Sequence, residues 1–175
     1  PKTIIRYSIQ CARFLASKDI DMLVVACNTA SSHALPALEE ALHIPVVGVV
    51  ASGSRAAIAA GGSRIGVIGT PSTIRSGAYE STLTALDPRV RVFSQACPLF
   101  VPLVEEGWFD DAVTEQVAHR YLDGLLSRGI DTLLLGCTHY PLLTGVIRRV
   151  AGDGIRIVDS ARSTAQAVAD LRTAG

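Results

Sequence analysis

Short apolar runs and amphipathic stretches alternate along the chain. Residues 3–17 carry Ile5, Ile9, Ala12 and Ala16 at helical spacing, which predicts a first helix. Strands are predicted for the apolar runs at 22–27, 46–50, 64–69, 91–96, 131–136 and 155–159. Helices are predicted between and after them at 31–42, 53–60, 73–85, 99–106, 111–126, 143–150 and 163–171. Strands separated by helices favour βαβ units, so we expect an α/β fold of parallel sheets flanked by helices.

The composition agrees with strands that are buried on both faces. Of the 175 residues, 49% are hydrophobic and 18% are charged, which is below the charge usual in soluble domains. No apolar run approaches the roughly 18 residues needed to cross a bilayer, so we expect no membrane association. The formal net charge is zero and Lys and Arg form no cluster, which argues against a nucleic-acid partner.

Four cysteines are scattered along the chain: Cys11, Cys27, Cys97 and Cys137. None forms a C-x-x-C pair, which disfavours both a metal site and a disulfide framework and favours a reducing cytoplasm. Cys11 and Cys97 fall in apolar surroundings and are interpreted as packing residues.

The sequence around Cys27 resembles the sequence around Cys137. A shift of 110 residues (137 − 27) also superposes Ile20-Asp21 on Ile130-Asp131, and a buried strand ends just before each cysteine. Internal similarity of this kind predicts two similar, pseudo-symmetric lobes with the active site between them. We assign residues 1–52 and 161–175 to the first lobe and residues 53–160 to the second.

The two cysteines fall where ligands bind in parallel sheets, beyond the carboxyl ends of strands. Each cysteine alone would be read as a buried packing residue, but one in each lobe favours a pair facing a shared cleft. Such a pair suits a two-base reaction at carbon, in which one group removes a proton and the other delivers one. Helices that start after both strands are expected to lower the thiol pKa values.

Polar residues that could bind a carboxylate follow both cysteines and one further strand. Asn28 and Thr29 follow Cys27, and Thr138 follows Cys137. They are also good helix caps, and a capped helix start offers backbone N–H groups to an anion. Residues 69–73, with Thr70 and Thr73, form a third such turn; it lacks the Gly-Lys of a P-loop, which disfavours a nucleotide.

His139 lies two residues after Cys137 and is a candidate for assisting proton transfer. Glu105 and Glu106 precede Gly107, and a carboxylate there could hold a substrate ammonium group or tune His139. The remaining histidines have no comparable context and are assigned no role.

Five segments resemble the glutamate racemases of the aspartate/glutamate racemase family, over essentially the whole chain. They are the two cysteine signatures at 23–31 (LVVACNTAS) and 133–141 (LLLGCTHYP), with 44–49 (IPVVGV), 66–70 (GVIGT) and 97–107 (CPLFVPLVEEG). The resemblance implies interconversion of L- and D-glutamate without any cofactor, supplying D-glutamate for peptidoglycan, cell-wall biogenesis and cell shape. A cytoplasmic homodimer acting on the small molecule glutamate is implied as well.

The resemblance also implies roles for individual residues. Cys27 and Cys137 become the catalytic bases, assisted by His139 and Glu105, with Glu106 as the alternative carboxylate. The implied substrate-binding residues are Asn28, Thr29, Thr70, Thr73, Thr138 and His139. No residue is implied to bind a metal.

The resemblance is incomplete at both ends of the sequence. Family members begin with a strand that leads into an Asp-Ser-Gly loop, followed by a Tyr-Gly turn, and they continue beyond the position of Gly175. We therefore expect the first lobe to lack its first strand. An aspartate- or hydantoin-type racemase remains an alternative, as does a non-catalytic dicarboxylate-binding module; spacing gives little support to a redox or metal protein.

Overall fold

The computed structural model describes residues 1–173, so the range assigned to the first lobe ends, at 174 and 175, outside the described residues. The strands are β1 (Leu23–Val25), β2 (Val46–Gly48), β3 (Arg64–Gly69), β4 (Arg91–Ala96), β5 (Thr132–Gly136) and β6 (Arg156–Asp159). The helices are α1 (Lys2–Ala16), α2 (Asn28–Ala41), α3 (Val49–Ala59), α4 (Pro71–Ser76), α5 (Ala78–Leu86), α6 (Phe100–Glu105), α7 (Ala112–Leu126), α8 (Thr144–Ala151) and α9 (Ser160–Thr173).

The described strands form two separate sheets, and every pairing within them is parallel. The first sheet contains β1 and β2, and the second has the order β4-β3-β5-β6. Strands β3 and β5 lie side by side at the centre of the second sheet, in a register that pairs Gly69 with Gly136. The predicted α/β fold of parallel sheets flanked by helices is confirmed.

The larger sheet is packed on both faces, as its low polarity predicts. Leu133 and Leu135 of β5 contact one hydrophobic cluster, which includes α6, α7 and α8. Leu134 points to the opposite face and joins a cluster with Val67 and Leu83. Alternate residues of a strand face opposite sides, and full burial of each leucine contributes roughly 1.5–3 kcal/mol.

The smaller sheet is covered by α1 and α2 through the apolar face that the first helix was expected to have. Ala12 of α1 packs with Leu38 of α2 beside β1. The Ser31 hydroxyl donates to the Val25 carbonyl oxygen at 2.8 Å and accepts from the Val49 amide at 3.3 Å. These bonds fix the start of α2 against the end of β1, which is where Cys27 lies.

Several element boundaries differ from those predicted. Helices α2 and α3 begin at Asn28 and Val49, three and four residues earlier than predicted. The predicted helix at 73–85 is divided at Gly77, whose φ of 68° lies in the left-handed region that favours glycine. The proposed lobe boundary between residues 52 and 53 falls within α3. Across residues 1–173, no helix combines the length and apolarity required to traverse a membrane.

Candidate active site

The two cysteine-bearing strand ends, which belong to different sheets, meet each other. Cys27 follows β1 and is the N-cap of α2, whereas Cys137 follows β5. The Thr138 hydroxyl donates to the Ala26 carbonyl oxygen at 3.1 Å, so a neighbour of one cysteine is bonded to a neighbour of the other. The Cys27 side chain is exposed, while Cys137 is buried. The two sequence-predicted thiols are therefore brought to one place in the fold.

Burial dominates the electrostatics of the Cys137 thiol. It raises the pKa of Cys137, and the nearby Cys27 thiol raises it further, while backbone N–H groups of His139 and Tyr140 lower it. The net direction is upward, so the expectation of a lowered thiol pKa is wrong for Cys137. Two amide donors from a single 3₁₀ turn, Tyr140–Leu143, do not offset the loss of solvent around the thiolate.

His139 connects Cys137 to a carboxylate. Its Nδ1 atom is 3.9 Å from the Cys137 sulfur, and its Nε2 atom is 3.4 Å from a Glu105 carboxylate oxygen. Glu105 is the last residue of α6, whose buried Phe100 anchors that helix in the core. Glu106 is exposed and forms the C-cap of α6. Of the two candidate carboxylates, Glu105 is the one that pairs with His139.

Three threonine hydroxyls form a triangle beside the start of α2. The Thr29 Oγ1 atom is 2.9 Å from both Thr70 Oγ1 and Thr73 Oγ1, and those two are 3.0 Å apart. Thr70 is the N-cap of α4 and also accepts from the Thr73 amide at 3.2 Å. Thr29 was predicted from the first cysteine signature and Thr70 and Thr73 from the turn at 69–73, and the fold places the three together. Their hydroxyl protons can be redirected from one another to an anionic ligand.

The Asn28 side chain is buried against a residue that sequence analysis did not identify. The Tyr79 hydroxyl donates to Asn28 Oδ1 at 2.5 Å. Tyr79 lies on α5, within the stretch expected to form one uninterrupted helix, and no motif marks it. His33 was likewise assigned no role, and its Nε2 atom lies 3.0 Å from the Ser72 hydroxyl, next to the threonine triangle.

A cavity of about 450 Å³ opens beside Cys137 and Thr138, but its other walls are mainly apolar side chains of β1 and α9. Asn28 and the three threonines of the triangle do not line it, so the cavity reaches the Cys137 side of the site but not these polar side chains. Its mainly apolar walls offer few partners for two carboxylates, and we expect Asn28 and the threonine triangle to bind them instead. Within residues 1–173, no three His, Cys, Asp or Glu side chains converge in a group able to hold a metal ion.

Comparison with known proteins finds glutamate racemases of similar sequence and similar structure. A glutamate racemase from Geobacter metallireducens is 53% identical over 176 residues, which cover all of this chain and 65% of that protein. A glutamate racemase isoform from Bacillus anthracis has a TM-score of 0.93 at 42% identity, covering 97% of this chain and 64% of that one. The Francisella tularensis glutamate racemase, solved in complex with D-glutamate, has a TM-score of 0.91 at 33% identity. The match covers 97% of this chain and 64% of that one.

The chain thus spans about 65% of the length of the Geobacter protein. Residues 5–168 match the family model described as Asp/Glu/Hydantoin racemase. Because that match covers nearly the whole chain, and both cysteine-bearing strand ends fall within it, the chain belongs to the Asp/Glu/hydantoin racemase family.

Proposed function

We propose that this chain carries the catalytic centre of a cofactor-independent glutamate racemase, in which Cys27 and Cys137 move a proton on and off the α-carbon. The observation that carries the proposal is the Thr138–Ala26 hydrogen bond, which holds the two cysteine-bearing strand ends together. Identity of about 50% to several glutamate racemases supports glutamate as the substrate.

The proposed reaction needs one thiolate and one thiol. The thiolate uses its own electron pair to form an S–H bond as the α-carbon–hydrogen bond breaks. The electron pair of the broken bond stays on the substrate carbon. The opposite thiol then gives its proton to the other face of that carbon and becomes the thiolate. No electron is gained or lost overall, and the two sulfurs exchange roles for the reverse direction.

The raised pKa of Cys137 supports one choice of resting roles. A buried thiol whose pKa is raised stays protonated near neutral pH, which favours Cys137 as the first proton donor and leaves the exposed Cys27 as the base. If His139 donates from Nε2 to Glu105, its Nδ1 lone pair faces the Cys137 sulfur and can accept the thiol proton. Glu105 then acts as a positioning residue that selects this tautomer.

The neighbouring donors suit the two carboxylates of glutamate. The threonine triangle (Thr29, Thr70 and Thr73) supplies hydroxyl donors on one side, and Asn28 supplies an amide. The Thr138 hydroxyl already donates its one proton to the Ala26 carbonyl oxygen, so the Thr138 backbone N–H is the donor that it would offer next to Cys137. Donors fixed by the fold stabilise negative charge that develops on the α-carboxylate as the proton leaves.

The wider setting of the proposal follows the relatives. The product D-glutamate would serve peptidoglycan synthesis, and with it cell-wall biogenesis and cell shape, in the cytoplasm, where free thiols persist. We also propose a homodimer. Each protomer would be divided into the two lobes given above, residues 1–52 with 161–175 and residues 53–160.

Exchange of the α-proton with solvent deuterium tests the proposal. The whole protein that carries this chain is incubated in ²H₂O with L- or D-glutamate, and the α-proton signal and optical activity are followed by NMR and polarimetry. Loss of the signal together with racemisation of both enantiomers is expected. Exchange of aspartate or a hydantoin but not glutamate would reassign the substrate, and thermal stabilisation by glutamate without exchange would replace the enzyme with a binding module.

A further inference from the structure

We infer that Tyr79 is a positioning residue for substrate binding: its hydroxyl orients the Asn28 amide so that the NH₂ group faces the substrate carboxylate. The inference rests on the proposed function, because it assigns Asn28 a carboxylate to bind. Tyr79 lies outside both cysteine signatures. It belongs to α5, which packs against the larger sheet, whereas Asn28 lies beside the smaller sheet.

The geometry joins two segments that are distant in the chain. Tyr79 is 3% exposed, and its ring packs with Ile65, Leu83 and Leu134 against the larger sheet. Its hydroxyl reaches across to Asn28 at the first turn of α2, beside the smaller sheet. A ring buried in this cluster has little freedom to move, so the orientation of the amide depends on the position of the ring.

The surroundings of the phenol decide which end of the amide it contacts. A phenol can donate to Oδ1 or accept from Nδ2, and the two arrangements present opposite ends of Asn28 to the site. Burial raises the pKa of Tyr79 and the nearby Ser160 side chain lowers it by less, so the phenol keeps its proton. Among residues 1–173, Asn28 Oδ1 is the only hydrogen-bond partner of the phenol, so a flipped amide would leave the buried phenol proton without an acceptor.

This arrangement leaves the Asn28 Nδ2 group available. Among residues 1–173 the only hydrogen bond of the Asn28 side chain is the one that Oδ1 accepts from Tyr79. Asn28 lies between Cys27 and Thr29, whose hydroxyl belongs to the threonine triangle. A donor at this point is directed at the same anion as the threonines, whereas a flipped amide would present a repelling oxygen there.

Glycines make room for this contact. A methyl group at position 136 would lie 3.0 Å from the Tyr79 ring, and one at position 53 would lie 3.1 Å from the Ser160 side chain. Both distances are tighter than ordinary contacts, so a side chain at either position would push on the phenol or on Ser160. The close approach of the strand and helix backbones therefore holds Tyr79 where it reaches Asn28.

Steady-state kinetics of Tyr79→Phe, in the whole protein, tests the inference. Loss of the hydroxyl should raise KM for glutamate about tenfold and change kcat by less than about threefold, because a donor to a charged group is lost in the ground state as well. Asn28→Ala should raise KM at least as much, and Tyr79→Phe should add nothing in the Asn28→Ala background. Asn28→Asp, which keeps the acceptor for Tyr79 and loses the donor, should also raise KM.

Tyr121→Phe is the matched control. The Tyr121 hydroxyl accepts from the Leu99 amide at 3.3 Å, so its removal also costs a tyrosine hydrogen bond in the same protein without touching Asn28 or either catalytic cysteine. Its KM should equal that of the unmodified protein. Should Tyr79→Phe fail to fold, Asn28→Asp, which leaves the Tyr79 ring in place, replaces it, and an unchanged KM in that variant overturns the inference.

The outcomes separate the two proposals. An unmodified protein that does not racemise glutamate removes the proposed function and this inference with it. An active protein in which Tyr79→Phe leaves KM unchanged, or in which Tyr121→Phe raises KM as much, overturns only the role of Tyr79. Additive effects of Tyr79→Phe and Asn28→Ala would overturn it as well.

Discussion

The Thr138 hydroxyl donates to the Ala26 carbonyl oxygen, joining the end of β5 to the end of β1 across two separate sheets. Each partner in this bond directly adjoins a cysteine, Cys137 on one side and Cys27 on the other. The distance between the two sulfurs therefore depends on a single side-chain contact as well as on the packing of the helices. The predictions below follow from this contact and its neighbours.

Removing the Thr138 hydroxyl should separate the two cysteine-bearing ends. Thr138→Val keeps the shape of the side chain and loses the donor, so kcat/KM should fall by about 10- to 100-fold while stability falls by about 1 kcal/mol. Thr138→Ser keeps the hydroxyl and should retain most of the activity. Steady-state kinetics and thermal unfolding measure both effects. A Thr138→Val protein with unmodified kcat/KM would show that the contact is incidental.

Thiol alkylation should distinguish the exposed cysteines from the buried ones. Cys11, which was expected to be a packing residue, is exposed like Cys27. At pH 7.5 we predict that iodoacetamide modifies Cys11 and Cys27 first, Cys137 more slowly and Cys97 not at all. Burial restricts access to Cys137 and raises its pKa, as it does for Cys97, so both have a smaller thiolate fraction. Mass spectrometry of timed digests gives the four rates. Faster modification of Cys137 than of Cys27 would contradict the assigned resting roles.

Stability should fall in alkaline solution because of Cys97. Burial raises its pKa above the reference value of about 8.5 that applies in the unfolded chain. Below that value both states are protonated and Cys97 has no effect on the pH dependence. Above it only the unfolded state releases this proton, so Cys97 lowers the free energy of unfolding by about 1.4 kcal/mol per pH unit. The raised pKa of Cys137 adds to the decline in the same direction. Urea unfolding between pH 7.5 and 10 measures the slope.

Cys97→Ala provides the control for the alkaline slope. The variant should be less stable at pH 7.5, because it loses a buried sulfur, but its free energy of unfolding should decline less steeply above pH 8.5. Equal slopes in the two proteins would exclude Cys97 as the source.

The two adjacent glutamates should differ in their effect on catalysis. Glu105→Gln removes the charged partner of His139 and should lower kcat about tenfold, since general acid–base assistance depends on the correct tautomer. Glu106→Gln changes the same chemical group one residue away, at the exposed end of α6, and should leave kcat unchanged. Initial rates at saturating glutamate compare them. Equal rates for the two variants would remove Glu105 from the proposed assistance.

Hydrophobic patterning was sufficient to predict the strands, because buried parallel strands such as β3 and β4 are bounded by turn residues on both sides. Helix starts were predicted less well. The helices that begin at Asn28 and Val49 start earlier than predicted. Neither helix has an acidic residue in its first turn or a side-chain cap that would mark its start. The break at Gly77 depends on one backbone angle, which a short helical pattern with one glycine does not reveal.

The candidate site was predictable where it lies within a signature and not where it depends on tertiary contacts. Cys27, Cys137 and their following residues could be named because the internal repeat marks them. Tyr79 could not, since its only link to the site is a hydroxyl that crosses between the sheets. The pKa direction of Cys137 was missed for a similar reason: sequence shows the amide donors that follow a strand but not how completely the thiol is buried.

Racemisation by single cysteine variants tests the two-thiol proposal most directly. Cys27→Ala and Cys137→Ala, in the whole protein, should each lose interconversion of L- and D-glutamate by a factor of about 10² to 10⁴ while unfolding at temperatures close to that of the unmodified protein. Cys11→Ala, which removes a thiol from the exposed face of α1, should racemise glutamate at the unmodified rate. Full activity in either Cys27→Ala or Cys137→Ala would contradict the proposal that the two thiols act on opposite faces of one substrate carbon.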